Sequence, residues 1–117
     1  MHFRNLVELH RWQAKRLGPR PALRYRQYGM FRNLSWEDYR RDAMACAAAL
    51  IEGGIAPGDR VGIWSENRMQ WLLADMGIMT AGAVNVPAHV SYPAPAVARQ
   101  MADAGVRWLF VANTDQL

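Results

Sequence analysis

The side chains of this sequence that could do chemistry are three histidines, one cysteine, one lysine and a scatter of glycines. His2 and His10 lie in or near a basic N-terminal segment, and His89 lies in a proline-rich loop. A metal site needs several nitrogen, sulfur or carboxylate ligands at convergent spacing. None of the histidines has such a partner, so each reads as a solvated or packed ring and no metal is expected. Cys46 stands alone in an alanine-rich helical pattern, which excludes a disulfide framework and a cysteine cluster. A reducing, cytoplasmic setting is the matching expectation. Lys15 is the single lysine and belongs to the first helical segment.

Phosphate binding would need a glycine-rich loop that leaves a strand and opens a helix, with backbone N–H groups turned toward the anion. The glycines at Gly53 with Gly54, at Gly58 and at Gly82 do not stand in that arrangement. The junction after Trp64, Ser65 to Arg68, could offer N–H groups at a helix start, but ordinary capping by Ser65 or Asn67 is the simpler reading. Ala88 to Tyr92 follows the carboxyl end of a strand, where open α/β sheets place ligands. His89 and Ser91 are its polar members. No catalytic, cofactor-binding or metal-binding residue is assigned from the residues alone.

The elements that would position these groups follow from periodicity. Residues 3 to 17 place Leu6, Leu9, Trp12 and Leu17 on one side, with Arg4, Arg11, Lys15 and Arg16 on the other, an amphipathic helix. Gly18, Pro19 and Pro21 end it. Ala22 to Arg26 and Met30 to Leu34, joined through Tyr28 and Gly29, read as a β-hairpin with Arg24 and Arg26 on a wet face. Ser35 with Asp38 starts a helix whose stripe is Trp36, Tyr39, Ala43, Ala47 and Leu50, stopped at Gly53 and Gly54. Its five alanines between Ala43 and Ala49 predict close packing on a neighbouring backbone.

Arg60 to Trp64 then forms an apolar strand after the Pro57–Gly58–Asp59 turn. A mostly apolar helix follows to about Ala81 and is expected to be buried on most sides. Ala83 to Val86 is a second strand, Pro87 to Pro95 a loop, Pro95 to Ala104 a helix and Val106 to Val111 a third buried strand. Strands alternating with helices predict right-handed crossovers and a parallel sheet. The fold class is therefore α/β: an N-terminal helix, a β-hairpin and βαβαβ units.

Composition limits the function classes. With 51% hydrophobic and 21% charged residues, the chain is globular rather than disordered, and no apolar run is long enough to span a bilayer. Residues 1 to 41 carry ten Lys or Arg against three acids, whereas residues 42 to 117 carry four against seven. The basic charges are dispersed through a helix and a hairpin, so a solvated basic face is expected and not a nucleic-acid partner. Trp36, Trp64, Trp71 and Trp108 read as core. Trp12 is the exception, because a basic helix with Trp and Leu on one face can lie on a membrane surface.

One run, Gly54 to Pro87, together with the segments before it, resembles the N-terminal region of adenylate-forming acyl-CoA synthetases, especially the long-chain fatty acid group. PALRYR, a SWEDY helix start and GIAPGDRV stand in family order, followed by Ser65 to Arg68, Trp71, Ala74 with Asp75, Gly82 to Val84, and Val86 with Pro87. Their joint order and spacing carry the resemblance, which covers about residues 5 to 113. Met69 and Gln70 depart from the family's usual proline and acid, and AHVSYPAP departs from its usual loop, so substrate preference does not carry over.

The resemblance implies a ligase in which ATP and a carboxylate, such as a fatty acid, give an acyl-adenylate and coenzyme A then displaces AMP. ATP, Mg²⁺ and coenzyme A are cofactors or substrates of the full-length enzyme on this reading. The 117 residues have no threonine-, serine- and glycine-rich phosphate loop, and no lysine beyond Lys15, so the chain alone is expected to be inactive. It reads as the N-terminal part of an AMP-binding domain, residues 1–117, truncated at its C-terminus, where Asn113 to Leu117 resemble the start of a further helix. The rest of the ligase is then its partner. The alternative is a free-standing regulatory module that docks on a ligase or a membrane surface.

Overall fold

The computed structural model describes residues 4–65 and 69–111. His2, the Glu66–Arg68 helix start and the Asn113–Leu117 helix start lie outside the described residues. Helix α1 (Leu6–Leu17) begins at Asn5, whose side-chain oxygen accepts the Glu8 N–H at 2.9 Å. That bond satisfies one of the free donors at the helix start. The buried face differs from the Leu6–Leu9–Trp12 stripe, because His10 and Ala14 are buried while Leu6 is 59% exposed. The reason is the partner: α1 rests on Trp36 and Tyr39 of the next helix, and this aromatic surface takes an imidazole ring.

Strands β1 (Pro21–Gln27) and β2 (Met30–Ser35) pair antiparallel. Their two-residue turn, Tyr28–Gly29, has φ of 52° and 76°. Two positive φ values in succession match the twist of the flanking strands. The pairing puts Arg24, Arg26, Phe31 and Asn33 on one face, all exposed, and half-buried Leu23 and Tyr25 with buried Leu34 on the other.

Helix α2 (Trp36–Glu52) starts where Ser35 Oγ accepts the Asp38 N–H at 3.1 Å. Ser35→Ala is expected to cost about 1 kcal/mol, read as a lower urea midpoint at unchanged slope. Tyr39, Ala43, Ala47 and Leu50 form its buried stripe. Only two of the five clustered alanines are therefore at a packing surface; Ala45, Ala48 and Ala49 are exposed.

The remaining elements are β3 (Arg60–Trp64), α3 (Met69–Thr80), β4 (Val84–Ala88), α4 (Ala94–Ala104) and β5 (Val106–Val111). The three strands form a parallel sheet in the order β4-β3-β5. Alternation along central β3 divides the core. Val61 and Ile63 join Leu50, Ile55 and Ile78 on the side of α2 and α3, while Trp64 joins Ala88, Val97 and Met101 on the side of α4. Helices thus cover both faces, as a parallel sheet requires.

Three expectations shift. Strand β4 runs later than Ala83 to Val86 and includes Pro87, opposite Ile63; an edge position tolerates a residue without an N–H. Strand β5 is apolar but pairs only with β3 among the described strands and is partly exposed, and Trp108 is 38% exposed, lying across Gly53 instead of in the core. Helix α3 is half-buried along most of its length, with Gly77 and Ile78 deepest.

Candidate functional site

The loop at the carboxyl end of β4 is tied down from three sides. The His89 carbonyl accepts the Trp64 indole N–H at 3.1 Å and the Tyr92 backbone N–H at 3.1 Å. Gln100 of α4 donates to the Pro87 carbonyl at 3.0 Å. Trp64 is itself buried against α4, so the sheet core fixes the loop's position. His89 and Ser91 remain exposed at its surface.

These two side chains engage each other. His89 Nδ1 accepts the Ser91 backbone N–H at 3.0 Å and lies 2.6 Å from Ser91 Oγ. An Nδ1 that accepts leaves the ring proton on Nε2. The arrangement closes a turn: the imidazole nitrogen nearest the hydroxyl is already committed to a backbone donor. A hydroxyl and an imidazole edge therefore stand exposed at the loop surface.

The tempting glycines are elsewhere. The Gly58 N–H donates to the Gly82 carbonyl at 2.9 Å, and the Val84 N–H donates to the Asp59 carbonyl at 2.8 Å. Gly58 and Gly82 therefore knit the amino ends of β3 and β4, opposite the ends where open sheets bind ligands. Gly53 caps α2 and Gly54 follows it in the same turn. Asp59 completes this end, its carboxylate accepting the Ala56 N–H at 2.8 Å and Arg107 Nη1 at 2.9 Å. Those two contacts hold its carboxyl below the usual range, the backbone bond first.

A second polar cluster joins the helices to the sheet. Asn85 of β4 donates through Nδ2 to Asp75 of α3, and Asn85 Oδ1 is buried without a partner among the described residues. Burial, and then Asp75, push the Tyr39 hydroxyl up. The reading of the residues alone missed this pairing; a lone acid in an apolar helix was its available signal.

His10 is 4% exposed, its ring 4.4 Å from that of Tyr39, and its Nε2 has no hydrogen-bond partner among the described residues. Burial, then the Arg40 charge, lower its pKa. The folded state therefore favours the neutral ring, and its stability contribution is complete above the ordinary histidine value of about 6.5 and falls as pH drops below it. His10→Phe is expected to flatten stability between about pH 7 and 5, checked by urea midpoints across that range. Cys46 is half-buried, and desolvation raises its thiol pKa, which makes it a poor nucleophile.

Among the described residues, no group of three His, Cys, Asp or Glu side chains could hold a metal ion. Nor does a glycine-rich strand-to-helix turn stand among them. The described residues do not by themselves fit a nucleoside triphosphate with its metal. What the site has is a positioned loop at the ligand-binding end of a parallel sheet.

That architecture is a parallel α/β sheet with helices on both faces and an antiparallel hairpin beside α2. The chain belongs to the AMP-binding enzyme family, whose model matches residues 10–117. It is 44% identical over 74 residues to the 3-[(3aS,4S,7aS)-7a-methyl-1,5-dioxo-octahydro-1H-inden-4-yl]propanoyl:CoA ligase of Mycobacterium tuberculosis, covering 62% of this chain and 15% of that protein. It is 33% identical over 87 residues to the long-chain-fatty-acid–CoA ligase FadD15 of the same organism, covering 74% of this chain and 14% of the relative. The chain thus spans about one seventh of these relatives. Among solved structures, the artificially fused NpsA-ThdA di-domain of Klebsiella oxytoca superposes with a TM-score of 0.88 at 22% identity, covering 100% of this chain and 21% of that one. The fatty acid AMP ligase of Legionella pneumophila gives 0.85 at 20% identity, covering 94% and 20%. These two likenesses establish the fold. No helix among the described residues is long and apolar enough to cross a membrane.

Proposed function

We propose that the chain is the N-terminal scaffold segment, residues 1–117, of an ATP-dependent carboxylate CoA ligase. In the whole enzyme, a carboxylate such as a fatty acid and ATP give an acyl-adenylate and pyrophosphate, and the thiol of coenzyme A then displaces AMP. The observation that supports this most is the family match over residues 10–117, together with relatives named as CoA ligases that align over 74 and 87 residues. Alone, the chain catalyses neither half-reaction, because the triphosphate needs a cradle of N–H groups and a metal counter-charge. Its partner is the remainder of the ligase.

The segment's contribution is positional, and its loop from Ala88 to Tyr92 approaches the coenzyme A nucleotide. Trp64 holds the loop at the carboxyl end of the sheet while His89 and Ser91 face outward as polar contacts. ATP–pyrophosphate exchange tests the first part: the intact ligase exchanges with a carboxylate present, and exchange by the purified 117-residue chain overturns the proposal of inactivity. Replacing His89 and Ser91 with alanine in the intact enzyme tests the loop. The coenzyme A KM rises while the carboxylate KM holds; an unmoved coenzyme A KM removes the loop from the site.

A further inference from the structure

The hairpin carries a surface that the ligase reading leaves unused. Between Gly18 and Trp36 there are four arginines, at 20, 24, 26 and 32, and no acid. At the tip, Tyr28 is 91% exposed, Met30 63% and Phe31 66%. A side chain built at Gly29 would meet nothing within 4 Å, so the turn stands clear of the body. On the outward face, the Arg24 and Arg26 guanidiniums lie 5.0 and 5.8 Å from the centre of the Phe31 ring. Beside them an open cavity of about 390 Å³ is lined by Pro21, Ala22, Leu23, Arg24 and Asn33.

We propose that the β1–β2 hairpin tip docks on an anionic lipid surface, with Tyr28, Met30 and Phe31 entering the interface and Arg24, Arg26 and Arg32 contacting headgroup phosphates. Charge complementarity selects an anionic partner. The shape of the apolar surface selects a bilayer over a nucleic acid. Met30 and Phe31 are adjacent strand residues and point to opposite faces, and Tyr28 stands at the apex. The apolar surface therefore surrounds the tip, as insertion into an interface needs, whereas base stacking uses one flat aromatic platform. This places the contact away from Trp12, which is half-buried with the Arg16 guanidinium 4.6 Å from its ring centre.

The test is sedimentation of the intact protein, as its gene encodes it, with phosphatidylcholine vesicles that contain or lack phosphatidylglycerol. Binding is expected only with phosphatidylglycerol and is lost in high salt. Arg24→Gln with Arg26→Gln lowers partitioning about 25-fold, roughly fivefold per charge near the surface. Arg24→Lys with Arg26→Lys keeps most of the binding, which separates charge from any effect on the hairpin's fold. Tyr28→Ser with Phe31→Ser lowers it at least about tenfold, with circular dichroism unchanged. The proposal is overturned if the intact protein ignores both vesicle types, or binds both equally. Loss on Trp12→Ala but not on hairpin substitution also overturns it, as does preference for single-stranded RNA over vesicles.

Discussion

Gly77→Val should cost the chain about 2–3 kcal/mol, because position 77 is where α2 and α3 touch backbone to backbone. A Cβ at residue 77 would lie 2.6 Å from both Cβ and Sγ of Cys46 and 3.2 Å from the Ala43 carbonyl oxygen. Neither the Cys46 Cβ nor a helix carbonyl can swing aside, so the helices must separate. Ile78, beside it, is fully buried, and separation exposes the cluster it shares with Ala47 and Leu50. Alanine at 77 meets the same clash but regains about 1 kcal/mol of helix propensity, so its net cost is smaller. Gly62→Ala is a control of the opposite kind. Its Cβ would approach the Met101 Sδ at 2.7 Å and the Leu109 Cδ1 at 2.9 Å, which are ends of flexible side chains. Urea denaturation of the three variants should rank valine at 77 as the most damaging. A Gly77→Val midpoint equal to that of the parent would show that the crossing is not close.

Trp64→Ala should cost about 3–5 kcal/mol, comparable with the whole stability of a small domain. The indole is 6% exposed, packs with Ala88, Val97 and Met101, and supplies the N–H that holds the His89 carbonyl. Trp64→Phe separates the two roles, since it keeps most of the packing and loses the hydrogen bond, at about 1 kcal/mol. Its expected signature is local: the Tyr92 amide, which donates to the same carbonyl, exchanges faster with solvent while core amides of β3 hold. Uniform acceleration across β3 would mean that Trp64 acts only through packing. The proposed coenzyme A contact predicts that Trp64→Phe in the intact protein raises the coenzyme A KM as the His89 and Ser91 substitutions do.

The sequence by itself determined the order and kind of the described elements, because their signals are local. Ser35 with Asp38 announces a capped helix, Tyr28–Gly29 a tight hairpin, and RVGIW after Pro57–Gly58–Asp59 a buried strand. Family membership was legible for a related reason, since the order of short motifs survives where any one of them varies. Tertiary structure decided which surfaces meet. Periodicity cannot say that α1 turns His10 inward onto Tyr39, since that depends on aromatic side chains more than twenty positions away. It cannot say that VRWLFV pairs with β3 and not with β4, because strand order is set by long-range pairing and not by composition. Nor does it show that Trp64, a core residue in either reading, is also the donor that anchors a loop 25 residues later. Local pattern records how much apolar surface a segment must hide; the partner that hides it comes from the rest of the fold.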